Sequence, residues 1–118
     1  MGIVLCAFPA REVYFEGGPS VAWDYVIVNY DMKPIILTLW NEFEALEGTA
    51  ILANIAENPV VICIRVRVIA DSYLSLSTQS SSVILVSPNV QQARNLQMWF
   101  VVFTFCSCFL FCCVLFCF

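Results

Sequence analysis

The run Ile35-Ile36-Leu37-Thr38-Leu39-Trp40 puts Ile35, Leu37 and Leu39 on one side of a pleat and Ile36, Thr38 and Trp40 on the other. Successive side chains of a strand point to opposite faces, so this period-two pattern marks a half-buried strand. Trp40 ends that strand facing away from Leu39. A second stretch, LSLSTQSSSVILVSP from Leu74 to Pro88, reads as a strand in two pieces, Leu74 to Thr78 and Ser82 to Val86, interrupted by a Gln-Ser-Ser bend. Both runs are rich in residues that fit a pleated surface.

The remaining segments fall around these two. Gly2 to Phe8 is a short apolar strand ended by Pro9, and Pro9 to Ala22 reads as a loop with a Gly17-Gly18-Pro19-Ser20 tip that carries Arg11, Tyr14 and Phe15. Trp23 to Tyr30 is a second strand, turned by Asp31-Met32-Lys33-Pro34 into Ile35 to Trp40. Asn41 with Glu44 has the spacing of a capping box, and Phe43, Leu46, Ile51, Leu52 and Ile55 supply the apolar stripe of a helix that Gly48-Thr49 splits and Asn58-Pro59 stops. Val60 to Val68 predicts a fourth strand with Ile62, Ile64, Val66 and Val68 on one face and Cys63, Arg65 and Arg67 on the other. A loop over Ile69 to Tyr73 follows. After Pro88-Asn89, a last helix carries a Val90, Ala93, Leu96 seam.

Five strands with a helix between the third and fourth, and another at the end, is the order of a Greek-key OB barrel, an all-β fold with short helices. A chain of 118 residues supports one such domain, hiding roughly 65% of the unfolded chain's surface on folding. The composition divides it further. Residues 1–98 read as an ordinary folded domain, whereas residues 99–118, WFVVFTFCSCFLFCCVLFCF, carry no charge and account for much of the mean hydropathy of +0.86.

The segment with this strand order, from about Tyr25 to Trp99, resembles the large subunit of replication protein A, particularly the plant versions, in its second tandem single-stranded-DNA-binding domain. The resemblance implies a module that acts in nuclear DNA replication, recombination or repair. Single strands are held by stacking bases on aromatic rings and tracking the backbone with positive charge. Trp40 matches the Trp that follows Thr-Leu at the end of the family's third strand, where the ring stacks on a base. Without that match, the residues alone favour Trp40 as a mere cover over the barrel mouth. Arg67 matches a basic residue of the family's fourth strand, and Arg65 is expected on the same face. Where the family has a loop Phe before Gly-x-Ser-Leu-Ser, this chain has Asp71, so Tyr73 becomes the candidate second stacking ring. Ser75 and Ser77 are candidates for hydrogen bonds to sugar or phosphate, with the polar face of a sheet as the alternative.

Several features weaken that expectation for the isolated chain. Five basic against nine acidic residues give a net charge of −4, and nucleic-acid affinity rests largely on Lys and Arg displacing counterions. The family also tends to carry a basic residue where Trp23-Asp24 opens the second strand. Single-stranded DNA is therefore expected to bind weakly to this chain alone. Tandem OB domains or other replication protein A subunits are the partners that the resemblance implies, because tethered weak domains gain from high local concentration. The alternative reading is an OB-fold protein-interaction module, or a gene fragment without retained DNA binding.

No catalytic or cofactor site is expected. The sequence has no His and no G-x-x-x-x-G-K-S/T loop, and Glu42 with Glu44 fits a helix N-terminus better than an acid/base pair. Of seven cysteines, only Cys6 and Cys63 precede the tail, and both are expected to be buried reduced thiols. Cys106, Cys108, Cys112 and Cys113 lack the paired arms of a zinc site. The tail is long enough to span a bilayer at about 1.5 Å per residue, but it has no flanking Lys or Arg and an odd density of Phe and Cys. It reads as translated non-coding sequence, with a membrane anchor as the alternative.

Overall fold

A computed structural model describes residues 1–116, with side chains through Phe105. Eight strands form one curled sheet: β1 Gly2–Ala7, β2 Arg11–Phe15, β3 Gly18–Val28, β4 Ile35–Trp40, β5 Val60–Ile64, β6 Arg67–Ala70, β7 Leu74–Ser77 and β8 Val83–Val86. Between β4 and β5 lie a π-helical turn Glu44–Gly48, the short helix α1 Thr49–Ala53 and a 3-10 turn Ile55–Glu57. Helix α2 is Gln91–Phe116. The strand order is β6-β7-β4-β3-β1-β5-β8, with β2 also paired to β3.

The eight strands are five passes of the chain. β1 and β2 pair successive stretches of β3, the first through Ala7↔Tyr25 and the second through Arg11↔Ala22. β5 runs into β6 across Arg65, and β7 into β8 across the Gln79–Ser82 bend. The two ends of the sheet, β5–β8 and β6–β7, are therefore halves of one bent antiparallel pair. With the parallel β4–β7 pairing, this is the five-stranded Greek-key order of an OB barrel.

The core fills the inside of the curl. Val4, Tyr25, Ile27, Leu37, Leu39, Ile51, Val61 and Ile84 form one buried cluster, so Leu37 and Leu39 face inward as their alternation requires. Tyr25 is fully buried, and its hydroxyl donates to the Gly48 carbonyl at 3.4 Å. Burial, helped by the charge of Glu44, pushes that phenol up to about 12. A Cβ on Gly48 would lie 2.9 Å from the Tyr25 oxygen, so the close approach of the helical segment to the sheet needs a glycine there. A second cluster of Ile3, Val28, Val60, Ala93 and Leu96 seats α2 under the barrel. Trp99 continues this contact, 4.9 Å from the Tyr30 ring.

Several local expectations give way to competing bonds. The Pro9–Ala22 segment is a hairpin, because Arg11 to Phe15 pairs with Gly18 to Ala22 around a two-residue turn. The Asn41–Glu44 capping box does not form. Asn41 adopts φ 51°, its N–H donates to the Val21 carbonyl at 2.8 Å, and its Oδ1 accepts from the Val21 N–H at 3.1 Å, so the ladder claims the residue before the helix can. Leu46 is 69% exposed, because the wider winding of the π-helical turn shifts it off the stripe. Val90 precedes the first turn of α2 and is left exposed, so only Ala93 and Leu96 of the expected seam are buried.

The predicted fourth strand is the largest correction. Arg65 adopts φ 57°, and this left-handed residue reverses the alternation. Before it, Val61 and Cys63 face the core and Ile64 is exposed; after it, Val66 faces the core. Cys63 is thus a core thiol, which burial pushes up to about 11. The expected Ile69–Tyr73 loop shrinks to a tight turn because β6 pairs with β7 through Ala70↔Leu74. Cys6, expected to be buried, is exposed; a bulge between Val4 and Cys6 breaks the register and turns it outward.

No helix among the described residues is long and apolar enough to cross a membrane. Residues 106–118 of the tail lie outside the described side chains, and the four tail cysteines considered for zinc lie with them.

Candidate nucleic-acid interface

Residues that pair directly across neighbouring strands share a face, so register alone assembles the outer surface of the sheet. Arg11 pairs with Ala22 and Ala22 with Trp40. One step along, Asp24 pairs with Thr38, Thr38 with Ser77 and Ser77 with Arg67. Ser75 follows beside Ile36 and Ile69. Trp40, Arg67, Ser75 and Ser77 therefore project from one face, opposite the core face that carries Leu37, Leu39 and Tyr25.

Trp40 is half-buried at the end of β4, and its ring is fixed by specific contacts. Its Nε1–H donates to Ser77 Oγ at 2.8 Å, which lays the indole across β7. Its backbone N–H donates to Thr78 Oγ1 at 2.9 Å. From the hairpin, Phe15 approaches with ring centroids 5.8 Å apart and tilted by 55°. The Arg11 guanidinium sits over the ring at 5.5 Å from its centroid, within the range of a cation–π contact. The ring is thus at the surface and not under the helical segment.

Arg11 is held there by Asp24. Its Nε–H donates to Asp24 Oδ2 at 2.9 Å and a terminal N–H to Oδ1 at 3.4 Å, while Thr38 Oγ1 donates to Oδ1 at 2.6 Å. Burial alone would raise the Asp24 carboxyl, but the hydrogen bonds from Arg11 and Thr38 outweigh it and hold the group below its ordinary value. The bond to Asp24 raises Arg11 in turn, with a smaller contribution from Tyr73 across the sheet face. A carboxyl with a lowered folded pKa stabilises the fold above its unfolded pKa, and that contribution is lost as pH falls through the folded value. The clasp therefore stays closed at neutral pH.

The other candidates separate. Arg67 is exposed on β6, one strand beyond Ser77. Tyr73 is 63% exposed in the turn between β6 and β7, next to Asp71. Ser75 Oγ reaches the Ile69 carbonyl only at 3.5 Å. Arg65 does not join Arg67 on a common stretch of sheet, because it occupies the left-handed bend; its carbonyl accepts from Ser82 Oγ at 2.7 Å and Gln79 Nε2 at 2.9 Å. Asp24 joins this face without having been expected there, and Arg11 and Phe15, read from the sequence as groups available on a loop, reach it from β2. The signal for them is the alternation Arg11, Val13, Phe15 before Glu16-Gly17, which reads as a hairpin strand once the Gly-rich turn is taken as two residues.

No protein-family profile matches the chain. Curated relatives do. The chain is 29% identical over 77 residues to a replication protein A 70 kDa DNA-binding subunit of Oryza sativa subsp. japonica, covering 65% of this chain and 12% of that protein. It is likewise 29% identical over 77 residues to the corresponding 70 kDa protein of Arabidopsis thaliana, covering 65% of this chain and 13% of that one. Among solved structures, a chain of a replication protein A heterotrimer bound to ssDNA superposes with a TM-score of 0.76 at 26% identity, covering 84% of this chain and 23% of that chain. The chain thus spans only a small part of the length of the relatives it matches. In sequence and in fold, it resembles an OB domain of the large DNA-binding subunit of replication protein A.

Proposed function

We propose that this chain is a non-enzymatic single-stranded-DNA-binding OB module that holds unpaired bases by stacking on Trp40 and holds phosphates with cations on the same sheet face. The observation that carries this reading is the Trp40 indole on the outer face, fixed by Ser77, with Arg11 over its ring and Arg67 on the same face in register with Ser77. Similarity to a chain of a DNA-bound replication protein A heterotrimer supports it. A base that stacks on Trp40 takes the position over the ring that Arg11 now occupies. Arg67, Ser75 and Ser77 line the adjoining path for the backbone, and Tyr73 offers a second ring at its edge. By the same likeness, the setting is nuclear DNA replication, recombination or repair, with further OB domains or replication protein A subunits as partners.

Fluorescence-anisotropy titration of the full chain with a labelled oligothymidylate tests the reading. Binding at low salt that weakens with log[salt], by about 0.7 per phosphate contacted, is the expected result. No binding at any salt would instead favour a protein-interaction role for the barrel, the reading to which Asp71 and the net charge of −4 lend weight.

Asp24→Asn makes a sharper test, because it removes a negative charge from the face and releases Arg11. Affinity for the oligothymidylate is expected to rise, with the salt slope steepening by about one contact. If the variant binds more weakly, Arg11 acts in its clasped position and needs Asp24 to hold it there.

A further inference from the structure

Beside the Trp40 ring, a cleft of about 240 Å³ is lined by Trp40, Asn41, Glu42, Phe43, Thr78, Gln79 and Ser80. Its polar atoms are unequally committed. Asn41 Oδ1 is engaged by the Val21 N–H, which leaves its amide hydrogens as the uncommitted end of the side chain. Gln79 is oriented by its Nε2 donating to the Arg65 carbonyl, so its Oε1 is the end left to accept. Thr78 Oγ1 already accepts from the Trp40 N–H. The Glu42 carboxylate is exposed and makes no hydrogen bond or ion pair with described residues. A carboxylate offers two acceptor oxygens and no donor. Among the side chains that line the cleft, the Glu42 carboxylate alone accepts without being able to donate, since the Thr78 and Ser80 hydroxyls and the Asn41 and Gln79 amides carry hydrogens as well.

Resting on the DNA-binding reading above, we infer that this cleft reads the Watson–Crick edge of the base stacked on Trp40 and favours guanine over thymine. Unpaired bases are identified by hydrogen bonds to that edge while an aromatic ring holds the face. Guanine presents two adjacent donors, N1–H and the 2-amino group, which a carboxylate such as Glu42 accepts in parallel. Its O6 lies beside them and suits a donor such as the Asn41 amide. Thymine presents one N–H between two carbonyl oxygens, and the second carbonyl would meet the Glu42 carboxylate with no proton between them. Unpaired acceptors brought together in this way oppose binding. Glu42 and Gln79 thereby become specificity-determining residues, distinct from the Trp40 platform and from the Arg67 and Ser75 side of the face.

The test compares the full chain's affinity, by anisotropy, for a labelled 12-nucleotide oligothymidylate and for the same strand with one central guanine. The guanine strand is expected to bind about fivefold tighter or more, the lower end for one bidentate base contact. In Glu42→Gln, an exposed position whose change leaves the core intact, that preference is expected to vanish while affinity for the all-thymine strand is kept or slightly raised. Equal or weaker binding of the guanine strand by the parent chain, or a preference that survives Glu42→Gln, overturns the inference and leaves the DNA-binding reading standing. Failure of the parent chain to bind either strand at low salt overturns both.

Discussion

Trp40→Ala is expected to weaken binding of an unpaired oligothymidylate by about 1–3 kcal/mol, the worth of one base–aromatic stack, which is roughly a 5- to 150-fold rise in Kd. The indole lies half-buried on the outer sheet face, with the Arg11 guanidinium over its ring. A purely structural role for Trp40 predicts a different pattern, in which thermal stability falls and affinity at a temperature where both proteins are folded does not. Trp40→Phe separates the contributions further. It keeps a stacking ring and loses the 2.8 Å bond from Nε1 to Ser77, so its affinity is expected to lie between those of the parent and the Ala variant. An Ala variant that binds like the parent removes the basis of the proposed function.

Leu39→Ala is expected to cost about 2–5 kcal/mol of unfolding free energy, the range for deleting a buried leucine side chain. Leu39 is fully buried beside Tyr25, Leu37 and Ile51. Its methyl group approaches Gly48, where the helical segment meets the sheet, so little can collapse into the space left behind. Against a total of about 5–15 kcal/mol for a domain of this kind, the loss is a large fraction. Denaturant titration followed by tryptophan fluorescence measures it. Leu46→Ala supplies the contrast: that side chain is 69% exposed, and its removal is expected to change stability by no more than about 0.5 kcal/mol. Equal losses at the two positions would contradict the core as described.

Both predictions start from one stretch of sequence, and this is the part of the molecule that patterning makes legible. In Ile35 to Trp40, alternation and core membership agree even though Thr38 on the outer face is also covered, so the bounds of β4, the inward face of Leu37 and Leu39 and the outward face of Trp40 follow from the residues alone. Ser75 and Ser77 are legible for the same reason. The misses arise where one residue resets the phase. Val60 to Val68 is apolar at so many positions that either face could be buried, and only the left-handed backbone at Arg65 decides which. An apolar run likewise conceals the bulge that exposes Cys6. Asn41 has the chemistry of a helix cap and equally that of a left-handed strand end, and its bonds to Val21 settle the competition. The clasp of Arg11 by Asp24 joins residues 13 apart in the chain and becomes visible only when the hairpin register is known.

The bend at Arg65 also separates two kinds of evolutionary freedom. What the barrel uses from this residue is a backbone oxygen, which receives Ser82 and Gln79, together with a conformation that non-glycine residues rarely adopt. The guanidinium contributes nothing to closing the seam. A substitute there must tolerate a left-handed turn, so Gly and Asn are expected to be accepted and β-branched residues to be refused, while a change of charge at this corner is expected to leave the scaffold undisturbed.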